Sequence, residues 1–130
     1  MVNVFVYGTL LTGESNHRIA APYVYAVKPG AIRGTLYDVG PYPALVLDAE
    51  GSRIDGEWLT VTPDGLAEMD ELESYYGPGE TNEYERVWVQ DIEDGSKEGW
   101  VYVYTDSRGL PRIREGSWRE YRRGRGAVQS

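Results

Sequence analysis

The glutamate with the most chemical potential in this sequence sits inside an apolar helical stripe. Leu66, Met69, Leu72 and Tyr76 recur at helical spacing. At about 100° per residue, Glu73 falls between Leu66 and Met69. Glu68 and Glu71 point away from the stripe as solvent carboxylates, and Asp70 lies at its edge. A carboxylate facing a core is costly unless it is paired, neutralised or lining a cavity. In an apolar pocket its pKa rises, and it can take and give protons near neutral pH. Two readings of Glu73 stand: an acid–base group, or a carboxylate bonded to buried backbone or to Arg86.

A second candidate is Tyr7-Gly8-Thr9-Leu10, where an apolar strand gives way to the loop Leu11-Thr12-Gly13-Glu14-Ser15-Asn16. Glycine at a strand end lets backbone N–H groups approach a ligand, which suits a small anion or oxyanion site. An ordinary turn is the alternative. The segment is no P-loop, because Gly-Lys-Ser/Thr is missing. Thr9 as a nucleophile lacks a placed base, since His17 lies in the following loop. Asp91, Glu93 and Asp94 precede Gly95 and read as a solvated hairpin turn in preference to a calcium site. Trp100-Val101-Tyr102-Val103-Tyr104 is either a stacking surface or a strand with one face in the core. No carboxylate pair stands out as a glycosidase dyad, and so small a chain leaves little room for a sugar cleft.

The elements that must position these groups are mostly strands. The runs 2–7, 23–27, 31–39, 44–47, 57–61, 85–92 and 99–104 are rich in Val, Tyr and Trp, with Gly, Pro, Asp and Ser between them. Sixteen glycines suit a small sheet that turns, bulges or closes. One helix is well signalled: Thr62 caps it, Pro63 takes the first position, and Gly77-Pro78-Gly79 stops it. A short helical turn over 116–123 around Trp118 and Tyr121 is a weaker signal. The expected architecture is a single domain over 1–121, mostly β and curled into a barrel, followed by an arginine-rich tail at 122–130.

Composition narrows the function. The 130 residues are 41% hydrophobic and 26% charged, an ordinary globular balance. Cysteine is absent and His17 is the single histidine, which excludes disulfides, a thiolate nucleophile and a multi-histidine metal site. No apolar run approaches the roughly 20 residues of a membrane span, and the N-terminus reads as a strand in place of a secretory signal. The expected location is the cytoplasm, with no membrane partner. A net charge of −8 disfavours nucleic acid. Residues 112–130 nevertheless carry six Arg against Glu115 and Glu120, leaving −12 on the rest of the chain. That segment is expected to lie against the acidic body or in solvent.

Taken together, these residues resemble the gamma-glutamylcyclotransferase-like family, which includes the avirulence-induced-gene-like proteins and small bacterial relatives. Val4-Phe5-Val6-Tyr7-Gly8-Thr9-Leu10 is similar to the family's N-terminal binding loop, and Tyr42-Pro43-Ala44-Leu45-Val46 and Gly56-Glu57 to its middle segments. Met69-Asp70-Glu71-Leu72-Glu73 with Tyr84-Glu85-Arg86 resembles the helix bearing the catalytic glutamate and the strand after it. Trp100–Tyr104 and Ile113-Arg114-Glu115-Gly116-Ser117-Trp118 resemble the C-terminal signature. Two departures stand out: the segment 75–83 is longer than in many relatives, and Ser117 replaces a common Asp.

The resemblance implies an α+β fold, a small mixed β-barrel with short flanking helices, and a pocket between the N-terminal loop and Glu73. It implies cyclisation of a gamma-glutamyl substrate to 5-oxoproline, with Glu73 catalytic and no metal or cofactor. Tyr7, Gly8, Thr9, Leu10 and Tyr102 are implied substrate contacts, and Arg86 is either another or a structural ion pair. A non-catalytic ligand-binding barrel and an amidase-like hydrolase releasing glutamate are the alternatives.

Overall fold

Side chains along the central strands alternate between two cores, as the two-residue period of a pleated strand requires. The computed structural model describes the backbone of residues 1–129 and the side chains of 1–124. Its strands are β1 (Val2–Val6), β2 (Val24–Asp38), β3 (Pro43–Leu47), β4 (Ser52–Val61), β5 (Glu85–Gln90), β6 (Glu98–Val103) and β7 (Arg112–Ile113). The helices are α1 (His17–Ala20), α2 (Pro63–Leu72) and α3 (Trp118–Gln129), with a 3₁₀ turn at Ala21–Tyr23. Val4, Val6, Leu59, Tyr102 and Tyr104 pack on one side of the sheet with Ala20 and Met69 of α1 and α2. Phe5, Tyr7, Leu45, Val101 and Val103 pack on the other side with Ile113 and Trp118.

The strands run in the order β3-β2-β4-β1-β6-β5, with β7 also paired to β2. β1 and β6 are parallel and the other pairs are antiparallel, so the sheet is mixed. Tyr104, just past β6, donates its N–H to Leu45 O of β3 at 2.9 Å, which draws the edge strand β3 round to the end of β6, next to the opposite edge. The architecture is α+β: a curled, barrel-like mixed sheet with short helices beside it.

Local differences from the sequence reading have physical causes. The runs 23–27 and 31–39 form one strand, β2, which continues through Pro29 and Gly30. Pro29 pairs with Glu57 on one side only, because β3 and β7 join β2 from Gly34 onward. Its missing N–H therefore costs no ladder bond on the open side. Gly30 is dictated by crowding, since a Cβ there would stand 2.3 Å from the Trp58 ring and 2.7 Å from Asp91. Asp91 itself is buried and is no solvated turn: it accepts from Trp58 Nε1, Ala31 N, Glu93 N and Asp94 N. The helical turn read at 116–123 is the start of α3, and the arginine-rich segment begins inside that helix. From residue 125 onward the side chains of that segment lie outside those described.

Candidate functional site

Glu73 is placed by the way α2 ends. The helix starts as its residues dictate, with Thr62 Oγ1 accepting from Gly65 N at 3.1 Å and Pro63 in the first turn. It stops at Leu72, well before Gly77-Pro78-Gly79. Ser74 takes a left-handed conformation, φ 52°. Ser74 N–H then donates to Glu71 O at 3.1 Å and Tyr75 N–H to Asp70 O at 2.9 Å, satisfying the last carbonyls. Glu73 is thus the C-terminal cap and not a mid-helix residue. Tyr76, read as part of the apolar stripe, lies beyond the helix and is 67% exposed.

The glutamate lines a cavity of about 180 Å³ together with Tyr7, Gly8, Thr9, Leu10, Tyr102 and Glu83. Gly8 is fixed by packing as much as by any ligand, since a Cβ there would stand 2.7 Å from Pro43. The loop that follows is braced from within. Asn16 N–H donates to Thr9 O at 2.8 Å, Asn16 Nδ2 to Thr9 Oγ1 at 2.9 Å, and His17 Nδ1 lies 2.8 Å from Leu10 O. α3 braces it from outside: Arg119 and Arg122 pair with Glu14, and Arg119 also donates to Thr12 O. Among the described residues, nothing accepts from the N–H groups of Gly8, Thr9 or Leu10. All three residues line the cavity.

The tyrosines serve different purposes. Tyr7 OH donates to Tyr102 O at 2.6 Å and accepts from Leu45 N at 3.2 Å, so its hydroxyl ties β1, β6 and β3 together. Tyr102 OH donates to Asp70 Oδ1 at 2.6 Å. Burial is the largest cause of the raised pKa of Tyr7, Tyr84, Tyr102 and Tyr104, and hydrogen bonds to Asp70 and Glu83 add to it at Tyr102 and Tyr104. None is poised to ionise near neutrality.

Glu73 behaves otherwise. Its carboxylate makes no hydrogen bond to any described residue, and its pKa is pushed up to about 7, by burial first and then by the charge of Glu83. Neither partner imagined for a structural Glu73 is used. Arg86 instead pairs with Asp70 at 2.6 Å, between the rings of Tyr75 and Trp100 at 4.9 and 4.5 Å. Arg86 is absent from the cavity wall and takes the ion-pair place. The sequence reading missed Glu83, Asn16, Tyr42 and Tyr84 as wall residues. Only the unusual length of 75–83 hinted at Glu83.

The sequence profile described as gamma-glutamyl cyclotransferase, AIG2-like, matches residues 4–120. A curated relative from Niallia circulans, gamma-L-glutamyl-butirosin B gamma-glutamyl cyclotransferase, is 41% identical over 125 residues, spanning 94% of this chain and 78% of its own. An AIG2-like protein from Mus musculus has a solved structure that superposes with a TM-score of 0.69 at 25% identity, covering 87% of this chain and 86% of its own. An uncharacterized protein from Pyrococcus horikoshii shares the fold over 100% of both chains, with a TM-score of 0.75 and 20% identity. The chain belongs to the gamma-glutamyl cyclotransferase, AIG2-like family. It is an enzyme of the gamma-glutamylcyclotransferase type.

Proposed function

We propose that the protein converts a gamma-glutamyl amine or amino acid to 5-oxoproline and the free amine, with Glu73 as general acid and base. The substrate's own α-amine attacks its γ-carbonyl carbon, a C–N bond forms, and the tetrahedral intermediate collapses with loss of the original amide nitrogen. Glu73 takes the proton that the attacking amine sheds and delivers it to the leaving amine. No protein nucleophile enters, so the chain needs only to fold the glutamyl arm, move one proton and stabilise the oxyanion. The N–H groups of Gly8, Thr9 and Leu10, which have no acceptor among the described residues, are the donors for the substrate carboxylate or that oxyanion. Tyr7 and Tyr102 shape the wall against which the glutamyl arm lies.

One observation carries this reading: a carboxylate with no hydrogen bond to any described residue, its pKa pushed up to about 7 by burial, lines the same cavity as the backbone N–H groups of Gly8, Thr9 and Leu10, which have no acceptor among the described residues. The Niallia circulans relative, named for gamma-L-glutamyl-butirosin B, supports including that compound among the substrates tested. The experiment is incubation with a panel of gamma-glutamyl amines and amino acids, with 5-oxoproline read by mass spectrometry. Product is expected from the native protein, with kcat roughly 10²–10⁴-fold lower in Glu73→Gln. Near-native turnover in that variant ends the assignment of Glu73. Free glutamate in place of 5-oxoproline marks a hydrolase, and ligand binding without product marks a binding module.

A further inference from the structure

The cavity wall is one-sided in charge. Its described residues include the carboxylates of Glu73 and Glu83 and no Lys, Arg or His. The Glu83 side chain is 43% exposed and so stands at the mouth, next to an aromatic row. Tyr42 and Tyr84 have ring centroids 6.3 Å apart, and Tyr84 and Tyr104 4.7 Å apart. Glu83 Oε1 accepts from Tyr104 OH and lies 3.4 Å from Arg108 Nη1, whereas Oε2 has no partner among the described residues. Arg108 lies 3.7 Å from the centre of the Tyr104 ring, and its Nη2 donates to Glu83 O at 2.8 Å. A carboxylate and a ring face thus already hold one cation, supplied by a half-exposed side chain, with a second carboxylate oxygen left over.

We propose that this mouth is a cation seat for the leaving group, so that the amine released carries a second, protonated nitrogen, as a diamine or polyamine derivative does. The proposal rests on the cyclotransferase reading of the same cavity. Glu83 and the ring of Tyr42, half-buried where Tyr84 and Tyr104 are buried, attract such a nitrogen, and the acidic body of the chain draws it in from solution. An amino acid as leaving group brings its own carboxylate to the mouth and meets like charge. Arg108 competes for the seat and sets how readily the incoming cation takes it.

The test uses three gamma-glutamyl amides of matched length, made from diaminobutane, butylamine and aminobutyrate, which present a cation, a methyl group and an anion to the mouth. The expected order of kcat/KM is cation, neutral, anion, with the first two separated by roughly three- to tenfold through KM. That ratio falls towards one in Glu83→Gln and in high salt, and rises in Arg108→Ala. Equal kcat/KM for the cationic and neutral amides, or a preference that survives both Glu83→Gln and salt, overturns the seat. Absence of 5-oxoproline from all three amides is the failure of the cyclotransferase reading instead. In that event calorimetric affinities of Glu73→Gln for the same amides decide the seat: the same order supports it and equal affinities overturn it.

Discussion

Two carboxylates lie at opposite extremes of the same physics. Asp91 is buried beside β2 and β4, and burial alone would raise its pKa. Hydrogen bonds from Trp58, Ala31, Glu93 and Asp94 outweigh that, and the net shift is downward. Glu73 is also desolvated but has no donor among the described residues, and Glu83 pushes its pKa further in the same direction. At Asp91 the fold surrounds the charge with donors at 2.8 to 3.1 Å, and a loop hangs from it. At Glu73 the charge is left uncompensated beside a cavity. A satisfied carboxylate organises the chain around it, whereas an unsatisfied one is ready to exchange a proton.

The largest effect comes from removing the unsatisfied group. Glu73→Gln is expected to lose activity as stated above while gaining stability, a combination that the Asp91 site does not offer. The sign follows from the shift. The folded pKa of about 7 lies above the ordinary 4.5, so the native state keeps its proton longer, and stability falls as pH rises between those values. The destabilisation at pH 8 is at most about 3 kcal/mol. Thermal melts should therefore place Glu73→Gln above the native protein at pH 8 and level with it near pH 4. A variant less stable at pH 8 would mean that the glutamate has a partner in solution.

The converse experiment removes the satisfied group. Asp91→Ala strands the Trp58 and Ala31 donors in the interior and should cost on the order of 4 kcal/mol in urea unfolding. Turnover per folded molecule should hold, because Asp91 lies outside the cavity wall. A cost below about 1 kcal/mol would show that the loop re-forms its bonds without it.

A smaller effect is the pH dependence, where the two sites have opposite signs. kcat/KM should fall as pH drops through about 7 and Glu73 takes up its proton. Glu83→Gln removes the like charge and should move that acid limb to lower pH. Asp91 has a lowered folded pKa, so its contribution is present above its ordinary value of 3.8 and fades as pH falls through the folded value. The stability gap between Asp91→Ala and the native protein should accordingly narrow only in strong acid. An acid limb unmoved by Glu83→Gln would break the link between the two cavity carboxylates.

Glu73 was legible in the sequence and Asp91 was not, for a physical reason. A carboxylate within an apolar stripe is a local contradiction, visible from residues a few positions away. The strands and the start of α2 were legible on the same terms, through alternation, the Thr62 cap and Pro63. Asp91 looked like one of several turn acids because its decisive partners, Trp58 and Ala31, are 33 and 60 residues away. Glu83 was hidden for the same reason: the strand ends that put it at the mouth come together only in the curled sheet. The end of α2 was misread differently. Gly77-Pro78-Gly79 are strong stop signals, but Ser74 turns first, in a conformation serine does not advertise.

That turn supplies the smallest and most local test. Ser74 occupies the left-handed position after the helix end, where glycine is the usual residue. Left-handed backbone costs a side-chain-bearing residue roughly 1–2 kcal/mol, and glycine gives part of this back through its freer unfolded chain. Ser74→Gly should thus stabilise by about 0.5 kcal/mol, and Ser74→Val, with a branched side chain in the same conformation, should destabilise. Ser74 also lines the cavity next to Glu73, so kcat measured on the same two variants reads how tightly the glutamate depends on this turn. If glycine raises Tm yet lowers kcat, the rigidity of serine at this point serves the placement of Glu73. If Tm falls instead, the turn owes its shape to the bonds from Ser74 and Tyr75 to the helix carbonyls and not to backbone preference.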